Sequence, residues 1–239
     1  MKHIFFLMAF CVCCLKGLAQ SGTITHHFYM TKKDATVDTC ELSMSITNGK
    51  ATSVVFAINH TDKKSYNLGF ISGNPNMYHK YKYTETRIND FRNLLITLKA
   101  KFVQWSATAK ENNITSFEKK IDHFENVPIF SVGAVTDGVR YYQGSEPPYV
   151  KSCTPIFYVN SEEKGVYWGW TVTLERTTGY NQGFWTSYPI KEEKKFKMYL
   201  QFTTESQFDS LIDALDVEKT KKMLNDNAES KKDIDSLFK

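Results

Sequence analysis

The stretch TETRINDFRNLLITLKAKFVQWSATAKEN, from Thr84 to Asn112, decides the fold because it holds the one long helical pattern in the chain. Its apolar residues recur with alternating gaps of three and four, the spacing that lines one face of a 3.6-residue helix. A helix of that length measures roughly 40 Å at ~1.5 Å per residue, enough to cross a sheet. The stripe residues, all predicted to face the core, are Ile88, Phe91, Leu95, Leu98, Phe102, Trp105 and Ala109.

The ends of this helix carry their own signals. Thr84 is a candidate N-cap, because its hydroxyl can accept a hydrogen bond from an unpaired amide of the first turn. Glu85 would then lie near the positive end of the helix dipole, where a carboxylate is stabilising. Asn112 and Asn113 predict the end of the helix, since asparagine tolerates the left-handed backbone that follows many helices.

Strand patterns dominate before and after the helix. The clearest runs from Val37 to Thr47, where apolar and polar residues alternate as in a strand with one exposed face. Asn48-Gly49 and Asp137-Gly138 suit the positive φ angles of tight hairpin turns. The segment from Thr177 to Glu193 is predicted to be a surface loop. The other predicted strands are Ile24 to Met30, Val54 to Ile58, Tyr66 to Ile71, Ser116 to Asp122, Ile129 to Val135, Val139 to Gln143, Pro155 to Asn160, Val166 to Arg176 and Phe196 to Thr203.

The C-terminal part predicts a second, shorter helix. Thr204 and Gln207 form the pattern of a capping box, in which each residue's side chain bonds the other's backbone. Residues 218–239 hold six lysines and five acids with few apolar residues, and are expected to form a loosely docked helical tail. The apolar face of the second helix comprises Phe208, Leu211, Ile212 and Leu215.

These patterns predict an α+β fold, with a mostly antiparallel sheet, one long central helix and a shorter C-terminal helix. We expect residues 20–217 to form a single domain. The segments DFRNLLITL at Asp90 to Leu98 and QFDSLIDAL at Gln207 to Leu215 share one pattern, 117 residues apart. A tandem duplication with halves 20–112 and 113–217 would explain the shared pattern. Convergence of two helix sequences on the same apolar spacing is the alternative.

The first nineteen residues have the layout of a cleavable secretory signal. A basic start at Lys2 precedes an apolar run of twelve residues, Ile4 to Leu15, and small residues follow at Gly17 and Ala19. The run is shorter than the roughly 20 residues that a membrane-spanning helix needs. We therefore expect cleavage near Ala19-Gln20, and a secreted or periplasmic protein without a membrane span.

Charge and motifs exclude some function classes. Removal of the signal takes away Lys2 and Lys16, so Lys plus Arg falls from 30 to 28 against 26 acids. A net charge near +2 argues against a nucleic-acid partner, which requires a strong positive field. The patterns GxSxG, HExxH and CxxC, glycine-rich phosphate loops and calcium loops are absent from the sequence. We predict no cofactor and no metal site. Cys153 with a distant histidine could supply a nucleophile and a base, but a lone cysteine is more often structural, so the catalytic residues stay unknown.

Two cysteines follow the predicted signal, Cys40 and Cys153. In an oxidising compartment they allow one disulfide bond, which would stabilise the fold by ~4–5 kcal/mol on the chain-entropy model. Two separate buried thiols are the alternative. A count of free thiols in denaturant, with and without reductant, distinguishes the two.

The composition shifts most strongly in an aromatic segment. Between Tyr141 and Tyr188, twelve of 48 residues are Phe, Trp or Tyr, against 14% for the whole chain. Flat rings beside amide side chains suit sugars or peptides, because they offer apolar area together with hydrogen bonds. Packing of these rings against each other in a satellite core is the alternative. The candidate ligand-binding residues are Trp168, Trp170, Tyr180, Asn181, Gln182, Phe184 and Trp185.

The signal ending in LAQ, the helix sequence KFVQWSATAKENN and the late unit KMYLQFTTESQFDSLIDAL give the chain a broader likeness. It resembles uncharacterised secreted proteins of Bacteroidetes-type bacteria. The resemblance implies a bacterial envelope setting and carries no activity and no site residues. The leading functional hypothesis is a non-catalytic binding or accessory protein whose aromatic segment binds a glycan, peptide or protein. The alternative hypothesis is an envelope hydrolase acting on carbohydrate or peptide.

Overall fold

The computed structural model describes residues 21–31, 37–59, 64–71, 80–124, 131–142, 151–152, 154–183 and 186–237. Within these ranges the chain forms eleven strands and three helices. The helices are α1 (Lys80–Glu111), α2 (Glu205–Ala214) and α3 (Val217–Leu237). The strands are β1 (Gly22–Thr31), β2 (Val37–Thr47), β3 (Lys50–Asn59), β4 (Lys64–Ile71), β5 (Phe117–Lys120), β6 (Ser131–Thr136), β7 (Val139–Tyr142), β8 (Lys151–Ser152), β9 (Ile156–Val159), β10 (Lys164–Gln182) and β11 (Ser187–Phe202).

All eleven strands belong to one antiparallel sheet with the order β1-β2-β3-β4-β6-β7-β10-β9-β5, and both β8 and β11 also pair with β10. The predicted α+β class is confirmed, with its long helix and its shorter C-terminal helix. Because β4 pairs with β6, strands from residues 20–112 and from residues 113–217 share the sheet. The duplication of those two parts stays a prediction.

The hairpin of β2 and β3 follows from its sequence. Along β2, Leu42, Met44 and Ile46 are buried while the residues between them are partly exposed, as alternation predicted. Asn48 and Gly49 take φ angles of 53° and 69°, the left-handed values that a tight turn between twisted strands requires. Asp137-Gly138 turns β6 into β7 in the same way, with φ angles of 52° and 79°.

Helix α1 supplies most of the cover for the sheet. It crosses from β3, where the backbone N–H of Ala51 donates to Glu85 Oε1 at 2.9 Å, to β9. Its middle packs on Trp168 of β10, and near its end Trp105 meets the ring of Phe157 edge-on at 5.6 Å. Trp105 is partly buried against the core, whereas the other six stripe residues are buried. The predicted apolar face is confirmed.

The start of α1 differs from the prediction. The helix begins at Lys80, so Thr84 lies in its second turn and the assignment of Thr84 as the N-cap is wrong. No glycine or proline separates Lys80 from Thr84, and nothing in that sequence prevents the helix from starting earlier. Glu85 is correspondingly too far from the helix start to act on its dipole, and it bonds the backbone of β3 instead.

The end of α1 agrees with the prediction. Asn113 adopts a left-handed backbone with a φ of 53°. Its N–H donates to the carbonyl of Lys110 at 3.2 Å, and the N–H of Ile114 donates to that of Ala109 at 2.9 Å. These two bonds define a Schellman motif, which satisfies carbonyls that the last helical turn leaves without partners.

The C-terminal helices close the far side of the core. Thr204 caps α2, with the N–H of Gln207 donating to Thr204 Oγ1 and the N–H of Thr204 donating to Gln207 Oε1. Phe208 of α2 stacks on Phe202 with ring centroids 4.1 Å apart, and the predicted apolar face of α2 is buried. Residues 225–231 of α3 are all exposed, whereas Val217 and Thr220 at its start are buried, and the loosely docked tail stays a prediction. In the part of the chain that the structure describes, no helix has the length and apolar content that a membrane crossing needs.

Candidate functional site

Trp168 is a core residue. It is 0% exposed, stacks on Phe91 of α1 with centroids 5.7 Å apart and receives the ring of Phe124 edge-on at 5.6 Å. A side chain enclosed in this way offers no surface to a ligand. The prediction that Trp168 binds a ligand is therefore wrong, because α1 covers this part of β10.

Three of the other candidates fall at least partly outside the described residues. Trp170 lies on β10 directly opposite Met198 of β11, but its side chain is outside the description. Phe184 and Trp185 are outside it altogether, as is Cys153, the predicted partner of Cys40. The disulfide bond and the roles of these three aromatic residues stay predictions.

The predicted loop from Thr177 to Glu193 is wrong, because the hairpin of β10 and β11 continues through it. The strands pair from Val166 opposite Phe202 to Gln182 opposite Ser187, with one irregularity in register near Thr177. Beyond Glu175, β10 pairs with no described strand other than β11. We name residues 177–183 and 186–191 the arm.

Both faces of the arm contact solvent. Every residue from Tyr180 to Gly183 and from Thr186 to Lys191 is exposed. A strand that lies on a protein body buries alternate residues, so the arm projects from the body as a two-stranded ribbon. Tyr180, Asn181 and Gln182, predicted as ligand-binding residues, are placed together on it.

The arm adds two exposed apolar residues that the sequence-based prediction missed. Tyr180 and Tyr188 are 66% and 63% exposed, and Ile190 is 42% exposed. Tyr188 lies directly opposite Asn181, whereas Tyr180 lies opposite Pro189 and points to the other face. The arm therefore offers a tyrosine and an amide or proline neighbour on each side.

Tyr188 and Ile190 continue the core-facing side of β11. Even-numbered positions of β11 share one face, and farther along it Phe196 and Leu200 are buried in the core. Both positions could have been found from β-branched and aromatic enrichment on either side of Gly183, the composition of a hairpin.

Ion pairs separate the arm from the core. Arg176 Nε donates to Glu192 Oε2 at 2.7 Å, and Lys191 Nζ donates to Glu175 Oε1 at 2.8 Å. The hydrogen bond with Glu192 raises the pKa of Arg176, whose guanidinium also lies 5.5 Å from the ring centroid of the buried Tyr141. These two ion pairs mark the end of the buried core along the hairpin.

Apart from Lys191 at its base, the arm is an uncharged surface. Its sequence from residue 177 to residue 190 contains no carboxylate, lysine, arginine, histidine or cysteine. It offers aromatic area, a proline, an isoleucine, and amide and hydroxyl groups. Aromatic area beside amide and hydroxyl groups suits contacts with a ligand.

A shallow cleft of about 410 Å³ lies elsewhere, between the end of α1 and the turn from β9 to β10. Asn160 Oδ1 shapes that turn by accepting hydrogen bonds from the N–H groups of Glu162 and Glu163, both at 2.8 Å. The charged residues of the turn are partly or fully exposed. No group of three or more His, Cys, Asp and Glu residues is placed to hold a metal ion anywhere in the described ranges.

No family model matches this sequence, and neither a curated protein nor a solved structure matches it. The resemblance to secreted proteins of Bacteroidetes-type bacteria therefore stays a prediction.

Proposed function

We propose that this chain is an exported, non-catalytic binding or accessory protein of the bacterial envelope, and that the arm is its recognition element for a glycan, peptide or protein. One observation carries the proposal: the arm exposes Tyr180, Tyr188 and Ile190 on a ribbon whose two faces both contact solvent. Apolar side chains presented together on a projecting element are characteristic of binding surfaces.

The ribbon itself supports a binding role. An isolated two-stranded hairpin is marginally stable in water, yet this one continues into the strands of the core through sixteen aligned residue pairs. The buried part, which includes Trp168 and Leu200, anchors the exposed part. Tyrosines held on a backbone of this kind lose little conformational freedom on binding.

The chain's edges argue against recognition by strand addition along β11. That strand carries Lys191, Lys194, Lys195 and Lys197 and includes Pro189, which cannot donate a backbone hydrogen bond. Lysine and proline on an edge strand oppose pairing with a further strand. We infer that the arm recognises its ligand with side chains.

The envelope setting depends on the predicted secretory signal. Export would take the arm into a compartment of glycans, peptides and surface proteins, the ligand classes that suit its neutral aromatic surface. Detection of the mature N-terminus at Gln20 in the exported protein would support this part of the proposal. A retained Met1 in the cell interior would contradict it.

A binding screen tests the arm. The purified exported protein is screened against a glycan array, soluble peptidoglycan fragments and an array of envelope-protein peptides. A ligand found in this way should bind the variant with both Tyr180→Ala and Tyr188→Ala about tenfold or more weakly, which corresponds to the loss of ~1.4 kcal/mol. Phe117→Ala, which removes a 41% exposed aromatic side chain of β5, is the matched control and should bind normally.

Unchanged binding in the double variant would overturn the arm as the site. A groove lined by Trp168, Trp170, Tyr180 and Trp185 together with two converging carboxylates would favour the alternative, an envelope hydrolase with glycosidase chemistry. Trp168 lies in the core and Tyr180 on the exposed arm, so these two do not share a groove. No observation in the described part of the chain favours the hydrolase.

A further inference from the structure

A second cluster of aromatic residues lies on the outer face of the sheet, away from α1. Trp168 and Leu200 are buried beneath α1, so Tyr167 and Tyr199, the preceding residues on the same strands, point to the opposite face. Tyr167 is 37% exposed and stacks on Tyr199 with ring centroids 5.3 Å apart. We name the cluster the tyrosine platform; it comprises Tyr158, Tyr167, Tyr199, Gln201 and Glu163.

Two glycines allow the rings of the platform to lie along the sheet. A Cβ atom on Gly165 would come within 2.7 Å of Tyr158 Oη, and one on Gly169 within 3.1 Å of Tyr167 Oη. Each ring therefore crosses the space that a side chain would fill, and both glycines are buried beneath them. The rings of Tyr158 and Tyr199 are partly exposed in this position, and that of Tyr167 is exposed.

Hydrogen-bonding groups border the rings. Tyr158 Oη donates to Glu163 Oε1 at 2.8 Å and accepts from Gln201 Nε2 at 2.6 Å. A tyrosine hydroxyl is protonated at neutral pH and can donate, and burial raises the pKa of Tyr158 further above its usual value of about 10. The amide of Gln201 and the carboxylate of Glu163 each have capacity for further hydrogen bonds.

Strand pairing excludes recognition through the backbone of β10, and Lys194, Lys195 and Lys197 oppose strand addition along β11. Val166 pairs with Phe157 of β9 on one side and with Phe202 of β11 on the other. A peptide cannot add to a strand that is already paired on both sides. A stable protein interface needs about 800 Å² on each partner, more than a cluster of five side chains supplies.

The remaining chemistry fits a sugar. The C–H face of a pyranose can stack on the tyrosine rings while its hydroxyl groups bond the amide and the carboxylate. The negative charge of Glu163 disfavours an acidic sugar. We propose that the tyrosine platform binds a neutral pyranose unit of a glycan.

The platform is separate from the arm. Tyr167 and Tyr180 lie on one strand, thirteen positions apart, a distance of about 40 Å along an extended chain. The inference shares with the proposed function the premise that the chain is a binding protein. It differs in the residues, so the two proposals can fail independently.

Titration calorimetry of the purified protein with cellohexaose, chitohexaose and mannohexaose tests the platform. At least one of these neutral oligosaccharides should bind, and Tyr167→Ala or Tyr199→Ala should weaken that binding about tenfold or more. Tyr199→Phe keeps the ring and should bind within about twofold of the original protein. Phe117→Ala, which removes a 41% exposed aromatic side chain outside both the platform and the arm, is the control, and it should bind these sugars normally.

Circular dichroism first establishes that each variant is folded. Gln201→Leu keeps all the rings, and it tests the polar border if a tyrosine variant does not fold; it should also weaken binding. Absence of binding to all three oligosaccharides overturns the platform proposal, and so does binding that is unchanged in the platform variants. Loss of sugar binding only in the variant with both Tyr180→Ala and Tyr188→Ala would overturn the platform and support the arm.

Discussion

The two ends of the hairpin formed by β10 and β11 place similar residues in opposite environments. At one end Trp168 is 0% exposed, whereas at the other Tyr180 is 66% exposed on the same strand. Residue type does not explain the difference, since both are large aromatic side chains. The difference follows from what packs on each end. Helix α1 packs on Trp168, whereas beyond Glu175 β10 pairs only with β11 among the described strands. Within one hairpin, the helix decides which rings stabilise the fold and which are available to a ligand.

The largest effect is expected where the helix covers the hairpin. Trp168→Ala removes the ring that contacts Phe91 and Phe124, and it leaves a cavity in the core. We expect the free energy of unfolding to fall by about 3–5 kcal/mol, as for other large-to-small changes in cores. Equilibrium unfolding in urea, followed by circular dichroism, measures it.

Tyr180→Ala is the matched control at the exposed end of the same strand. Its side chain is 66% exposed, so the free energy of unfolding should change by about 0.5 kcal/mol or less. A loss comparable to that in Trp168→Ala would show that the arm packs on the body, and the contrast between the two ends would be wrong.

A pair of glycines on β10 gives a second test of the contrast. In Gly165→Ala the new methyl group would lie 2.7 Å from the carbonyl oxygen of Phe202, a contact with backbone that cannot easily move. We expect a loss of roughly 1–3 kcal/mol, the usual cost of overpacking. Thermal and urea unfolding measure the loss.

Gly179→Ala is the corresponding change in the arm. There the new methyl group would meet only Ile190 Cδ1 at 3.6 Å, an ordinary contact. Because alanine restricts the unfolded chain more than glycine does, this variant should be neutral or more stable by a few tenths, at most about 1 kcal/mol. Equal destabilisation at both glycines would mean that the arm is as tightly packed as the core.

Much of the fold could be predicted because burial on one face leaves a periodic pattern. The alternation in β2 predicted the bounds Val37–Thr47 that the structure has. The stripe of α1 and the turn at Asn48-Gly49 followed from local geometry in the same way. The start of α1 was missed because a threonine that suits an N-cap also occurs within helices.

For the same physical reason, alternation of apolar and polar residues could not identify the arm as a strand. Alternation reports that one face is buried, and the arm buries neither, so residues 177–190 show no periodic signal and their Gly, Asn and Pro content resembles a loop. Of the candidate residues, Tyr180, Asn181 and Gln182 were correctly expected to be exposed. Trp168 was misplaced because a strand pattern does not show which part of the strand a helix will cover.

A smaller effect on stability, which depends on pH, is expected at Tyr158 of the tyrosine platform. At neutral pH, Tyr158→Phe removes the hydrogen bonds with Glu163 and Gln201 and should cost ~0.5–1.5 kcal/mol. Burial raises the pKa of Tyr158 above the usual value of about 10, so the folded protein retains a proton that the unfolded chain loses at high pH. The associated stabilisation is present below about pH 10 and decreases as the pH rises further.

The stability difference between the protein and Tyr158→Phe should therefore narrow above about pH 10, where only the protein with Tyr158 loses this contribution. Urea unfolding at neutral and at alkaline pH measures both values. Tyr180→Phe is the control, and it should leave stability at neutral pH unchanged. A difference that widens with pH would contradict the assigned burial of the Tyr158 hydroxyl.

The smallest effect on stability is expected when the exposed end is removed. Thr177 and Lys191 lie directly opposite each other, so residues 178–190 can be replaced by an Asn-Gly turn that closes the hairpin where the core ends. If the body does not depend on the arm, the free energy of unfolding should change by about 0.5 kcal/mol or less. Binding through the arm should be lost, while sugar binding by the platform should be kept.

A loss of more than about 2 kcal/mol in the shortened protein would show that Tyr188 and Ile190 stabilise the body, as expected of buried apolar side chains. Their position on the core-facing side of β11 makes this the decisive outcome, because the same two residues would then be structural. If the shortened protein is as stable as the original and has lost only the ligand of the arm, the two ends of the hairpin have different roles. The end that packs on α1 is then structural, and the arm is the recognition part.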